Sequence, residues 1–174
     1  MLTAVDAETG EFQRFDRDSG VPLLQAVAAS CAVPGVYPPV TIDGRRYIDG
    51  ALSCPIPIGN AVEAGATHVL VLQTRPYGVP RSAGGRMSER LIARHLRGLN
   101  PALVPLWQGR VAAYEELVAD IARRSRVPDG DGPYVLGLRP PAGTPVVTQL
   151  ERRPGVLARA AADAEQLVME KLGE

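Results

Sequence analysis

The sequence predicts an α/β fold in a single domain, residues 1–174, with helical additions toward its C-terminal end. Three observations predict it. "VTIDGRRYIDG" (40–50) reads as two short strands around an Asp43-Gly44 turn, the strongest local hairpin signal in the chain. "IGNAVEAGATHVLVLQT" (58–74) runs from a helix through Gly65 into a continuously apolar strand, the αβ half of a βαβ unit. Through most of the second half, apolar residues recur at steps of three and four, the spacing of amphipathic helices.

Taken in order, "LTAVDA" (2–7) alternates as a strand does, and "ETGEFQRF" (8–15) supplies a turn and a second strand, so the chain opens on a hairpin. "VPLLQAVAASCAV" (21–33) has helical spacing, with Pro22 suited to a first turn, and Pro34-Gly35 ends it. Pro38-Pro39 keeps the following segment extended. The strand at 67–74 is predicted to be buried on both faces within a parallel sheet. Residues 75–87 are rich in Gly and Pro and read as a mobile connection between a sheet core (1–74) and a mainly helical region (88–174). The first helix of that region (88–99) sets Leu91, Ile92, Leu96 and Leu99 on a common face. A second (105–126) carries Trp107, Val111, Tyr114, Val118 and Ile121, and "PDGDGPYVLGLRPP" (128–141) gives a turn and a short strand. A last helix runs from Pro154 to Lys171 with Leu157, Ala160, Ala164, Leu167 and Val168 inward.

Composition excludes several function classes. Nineteen basic and nineteen acidic residues cancel, so no net field draws in nucleic acid or an anionic membrane. Two cysteines, Cys31 and Cys54, make neither a disulfide framework nor a metal cluster, and read as reduced, partly buried thiols of a cytoplasmic protein. Val21 to Ile42 carries no charge, but its four prolines rule out a spanning helix. The N-terminus lacks the pattern of a signal peptide.

Among the motifs, G-x-S-x-G, G-x-x-x-x-G-K, G-x-G-x-x-G and H-E-x-x-H do not occur. His68 and His95 are isolated, and "PDGDG" (128–132) lacks the later carboxylates of a calcium loop, so it reads as a turn. "RRYIDGALSCPIP" (45–57) ends a strand-like run on Asp49-Gly50-Ala51. From Asp-Gly alone, a turn cap is the simplest explanation of Asp49.

The wider context changes that weighting. "ASCAVPGVYPPV" (29–40), "IDGRRYIDGA" (42–51) and "PIPIGNAVEAGATHVLVL" (55–72), preceded by "LTAVDAETGE", together resemble the C-terminal half of the patatin-like phospholipase family, densely over residues 2–74 and loosely beyond. The resemblance implies a three-layer α/β/α fold around a central, mostly parallel sheet. It also implies hydrolysis of acyl esters of lipids or phospholipids by a Ser-Asp dyad, without metal or cofactor. The family's D-G-A falls on Asp49-Gly50-Ala51, which makes Asp49 the expected catalytic base. The serine and the Gly-rich oxyanion loop would precede "LTAVDA". The expectation is therefore an N-terminally incomplete domain, inactive alone, with at most peripheral membrane contact. Ser30, Ser53 and Cys54 are weak substitutes for the nucleophile, and where family members often carry an Asn in this loop the chain has Ser53-Cys54. On this reading the "LTAVDA" strand is an exposed edge open to pairing with a chain that supplies the missing half. Two alternatives stand beside it: a non-catalytic lipid- or protein-binding remnant, and half of a split enzyme completed in trans.

Overall fold

The computed structural model describes residues 1–126, 132–148 and 151–173. It is a mixed α/β structure whose described residues fall into two compact units: Met1–Ile58 with Arg81–Leu117, and Gly59–Pro80 with Val118–Glu174.

The first unit is built on a four-stranded sheet. Strand β1 (Leu2–Asp6) turns into β2 (Phe12–Phe15), helix α1 (Leu23–Ser30) follows, and β3 (Val40–Ile42) and β4 (Arg45–Asp49) form a second hairpin. The order is β2-β1-β4-β3, and every pairing is antiparallel. Both hairpins lie where the alternating pattern puts them. In the second, Asp43 (φ 49°) and Gly44 (φ 79°) both take positive φ, the conformation that matches a two-residue turn to the right-handed twist of its strands. In the first, Asp6 Oδ1 accepts from the backbone N–H groups of Glu8 (2.8 Å) and Thr9 (3.0 Å), closing the turn from within.

This antiparallel sheet replaces the expected parallel centre, and it overturns one prediction outright. Strand β1 is not an edge: Leu2 to Val5 pair with Phe15 to Phe12 on one side, and Ala4 to Asp6 pair with Asp49 to Tyr47 on the other. Ala4 and Val5 are paired on both sides and Asp6 pairs with β4, so any open stretch of β1 on the β4 side is confined to Leu2 and Thr3.

Helices pack against both faces of the sheet. On one face Ala4, Phe15, Ile42 and Tyr47 meet Ala26 and Ala29 of α1. The Phe15 and Tyr47 rings stand edge to face at 5.3 Å. On the other face Val5, Ile48 and Leu52 pack with Leu96 of α3 (Arg86–Leu99) and with Leu103, Val104 and Trp107 of α4 (Leu103–Arg124). Each fully buried aliphatic side chain here contributes about 1.5–3 kcal/mol. Helix α3 departs from its predicted face: Leu96 is fully buried, whereas Leu91 is 61% exposed. Arg110 joins the two helices. Its guanidinium lies 3.5 Å over the Trp107 ring and bonds both carboxylate oxygens of Glu89, while Trp107 Nε1 also donates to Glu89 Oε2 (2.8 Å).

In the second unit β5 (His68–Leu72) pairs in parallel with β6 (Tyr134–Leu138), as the αβ pattern before β5 predicts. Helix α2 (Ile58–Glu63) is shorter than predicted and closes at Gly65 (φ 92°). Gly137 lets β6 approach α4, because a Cβ there would meet Ile121 Cγ2 at 2.5 Å. Ser125 Oγ accepts from the Gly137 N–H (2.8 Å) and donates to the Ile121 carbonyl (2.7 Å). Strand β5 is not buried on both faces. Val71 is buried, but Leu70 and Leu72 are 47% and 64% exposed, because this sheet has only two strands and α4 shields one side. Helix α5 (Pro154–Leu172) starts at the predicted proline, yet it has no buried residue, so its predicted inward face is only half covered. The "PDGDG" turn lies outside the described residues except for Gly132.

Candidate functional site

Asp49 is the last residue of β4, half-buried, at the point where the chain leaves the sheet for a single 3-10 turn, Gly50–Leu52. Three elements fix it. Its backbone N–H donates to the Ala32 carbonyl (3.0 Å) just beyond α1. Its register opposite Ala4 holds it against the middle of β1. Its Oδ1 accepts from the Ala51 N–H (2.8 Å), which caps the turn and sets the orientation of the carboxylate. The geometry is that of a turn cap, and the same hydrogen bond fixes where the carboxylate points.

Gly50 is demanded by that geometry. A Cβ at this position would overlap the Thr3 carbonyl oxygen and lie 2.5 Å from Thr3 Oγ1, so only glycine lets the Asp49 turn pass this close to β1. The "AVPG" segment is fitted in the same way. Gly35 has φ 82°, and a Cβ there would strike Ile92 of α3 at 2.7 Å. Four stretches of the sequence (β1, the α1 exit, β4 and α3) thus converge to position one aspartate and its turn.

Burial raises the Asp49 pKa above its ordinary value, opposed by the Ala51 hydrogen bond and by the positive charge of Arg81. By sequence, Arg81 falls in the Gly/Pro-rich connection and carries no expected role. In the structure its backbone N–H donates to Glu115 Oε1 (2.7 Å) and its guanidinium stands over the Tyr114 ring at 5.0 Å, so α4 holds this end of the connection. No local motif marks Arg81; a lone arginine in a connection has no periodic signature.

Among the described residues no serine hydroxyl bonds to the Asp49 carboxylate. Ser53 and Cys54 both use their backbone N–H groups on the Gly50 carbonyl, extending the turn. Burial raises the Cys54 thiol above its ordinary pKa, which keeps it protonated and makes it a poorer nucleophile. Cys31, expected to be partly buried, is exposed.

The surface beside the site is apolar. Helix α1 buries Ala26 and Ala29 but leaves Leu23, Leu24 and Val27 open, and Val36 and Tyr37 are exposed in the loop that follows. Among the described residues no helix is long and apolar enough to cross a membrane.

Comparison with known proteins agrees with the segment that builds this site. Residues 1–62 match the model of the patatin-like phospholipase family. The chain is 39% identical over 54 residues to an uncharacterized protein, YjjU, of Escherichia coli K12, covering 30% of this chain and 15% of that protein. It is 32% identical over 96 residues to uncharacterized NTE family proteins of Mycobacterium tuberculosis and Mycobacterium bovis, covering 54% of this chain and 26% of theirs. The matched stretch therefore spans about a quarter or less of each relative. Residues 1–62, which hold Asp49 and every strand that positions it, are thus the part of the chain that is similar to the patatin-like phospholipase family.

Proposed function

We propose that these 174 residues supply the aspartate half of a Ser-Asp lipid acyl hydrolase, acting on carboxylic esters of phospholipid or another acyl lipid, with Asp49 as the base. The observation that carries the proposal is the Asp49 turn. An oriented, half-buried carboxylate with a raised pKa sits at a strand end whose next residue has to be glycine.

The chemistry follows from that placement. A serine hydroxyl attacks an ester carbonyl well only when a neighbour takes its proton as the new bond forms. With Oδ1 held by the Ala51 N–H, Oδ2 is the oxygen that receives this proton. Collapse of the tetrahedral intermediate expels the alcohol, which takes the proton from Asp49 and leaves an acyl-serine. Water then attacks the acyl-serine, again giving its proton to Asp49, and the fatty acid leaves as the serine is reprotonated. A raised carboxylate pKa favours both transfers, because a base works best when its pKa approaches the working pH. The Ala51 hydrogen bond and the positive charge of Arg81 oppose the rise.

The chain has no G-x-S-x-G, so the nucleophile comes from polypeptide outside these residues, and the three-layer α/β/α arrangement belongs to that complete domain. The open apolar face of α1 at Leu23, Leu24 and Val27 suits such a contact; the Ala4–Val5 stretch of β1, paired on both sides, does not. Two cysteines, too few for a disulfide framework, fit a cytoplasmic setting. The experiment reads the DNA upstream of the Met1 codon, expresses any G-x-S-x-G segment found there together with this chain, and assays ester and phospholipid hydrolysis. The expected result is hydrolysis that falls by a factor of about 10²–10⁴ in Asp49→Asn, and none from the 174 residues alone. Full activity in Asp49→Asn removes Asp49 from the mechanism. Hydrolysis by the isolated chain that Asp49→Asn abolishes keeps Asp49 and overturns the need for an outside serine.

A further inference from the structure

The second unit contains a groove of about 570 Å³, within the range of small-molecule binding sites, and every residue that lines it belongs to that unit. It opens beyond the C-terminal ends of β5 and β6, where Leu72 and Leu138 contribute to its wall. Pro140 and Pro145 continue the wall, and Leu167 and Val168 come from α5. Ala160 and Ala164 of the same helix keep it wide, because they place only methyl groups where longer side chains would fill the space. The lining is overwhelmingly apolar, and α5, with no buried residue of its own, gains cover only if something occupies this space.

One polar feature is out of keeping with such a lining. Gln73 also borders the groove, and its Nε2 is buried without a hydrogen-bond partner. A buried amide donor left unpaired is costly, and a turn of the Gln73 side chain toward the groove would let an acceptor on a ligand relieve that cost. Asp163, the one carboxylate in the lining, is only loosely paired with Arg159 at 4.0 Å and disfavours an anionic head group. We propose that this groove binds the aliphatic chain of an uncharged acyl lipid, with the acyl carbonyl oxygen accepting a hydrogen bond from Gln73. The site uses neither Asp49 nor any other residue of the first unit, so it stands whether or not the hydrolase reading does.

The test titrates monolaurin, below its micelle concentration, into the full 174-residue chain. Binding is followed by calorimetry and located by leucine-methyl NMR shifts. Saturable binding with shifts at Leu72, Leu138 and Leu167 is expected, and Ala160→Trp, which fills the groove, weakens it at least tenfold. Gln73→Leu weakens it about three- to tenfold, the equivalent of one hydrogen bond, while leaving the melting temperature of the free chain unchanged or higher. Laurate, bearing a carboxylate, binds more weakly than monolaurin, and Asp163→Asn narrows that gap. Asp49→Asn binds as the parent does, which separates this site from the catalytic proposal. No saturable binding overturns the inference, as do shifts placed elsewhere or affinity indifferent to both Ala160→Trp and Gln73→Leu.

Discussion

Asp49 carries a tension that can be measured. Its carboxyl has a folded-state pKa above the ordinary 3.8 because burial penalises the charge. The folded state therefore holds that proton more tightly than the unfolded chain. Stability is greatest below the unfolded value and declines as pH rises through the folded one. Asp49→Asn removes the charge and keeps an oxygen for the Ala51 N–H, so at neutral pH its melting temperature should exceed the parent's by about 2–4 °C per kcal/mol relieved. The difference should vanish below pH 3.8, and thermal melts across pH test this; a variant less stable than the parent at neutral pH contradicts it. Arg81→Ala should raise the Asp49 pKa further, because it removes a charge that lowers it. Carboxyl NMR titration of Asp49 reads that shift directly, and an unmoved midpoint would show that Arg81 does not act on it. Gly50→Ala forces a Cβ into the Thr3 carbonyl and should cost about 1–3 kcal/mol.

At the scale of elements, the α3–α4 pair depends on a charge cluster more than its apolar periodicity suggests. Arg110 is buried against Trp107 and satisfied by Glu89 and by the Trp107 and Ala83 carbonyls. Arg110→Ala should destabilise the chain by about 3–5 kcal/mol, since it strands a partly buried carboxylate. Denaturant unfolding of Arg110→Ala and of the double variant with Glu89→Gln checks the cause: the second change should recover some of the loss. The same pair of helices shows why the covered face of α3 is narrower than its periodicity suggests. Periodicity marks which residues share a side, but the partner elements decide how wide the covered stripe is, and here it reaches Leu96 and not Leu91.

At the scale of the whole molecule, the described residues divide into units of unequal protection. In the first unit, both faces of the sheet are packed by helices and β1 is paired on both sides. In the second, β5 and β6 stand as a pair and α5 buries nothing. Amide exchange should therefore be fastest among the helical amides of α5 and slowest in β1 and β4, since opening free energy follows buried contact. Equal protection across the two sets would contradict this ranking.

The local elements were legible from residues that lie close together along the chain. Alternation located the two hairpins, proline and glycine located helix ends at Pro154 and Gly65, and the motif around Asp49-Gly50-Ala51 singled out the carboxylate. These features are legible because they depend on neighbours within a few residues, through backbone torsions and side-chain period. Folding alone settled that β1 lies inside an antiparallel sheet, that Gly50 is required by Thr3, and that the Arg81 charge opposes the effect of burial on Asp49. It also set the unpaired Gln73 amide beside an apolar groove. Each of these is a meeting of segments distant along the chain. Strand order, close backbone approach and the field at a carboxylate are set by what folding brings together, which no local pattern records.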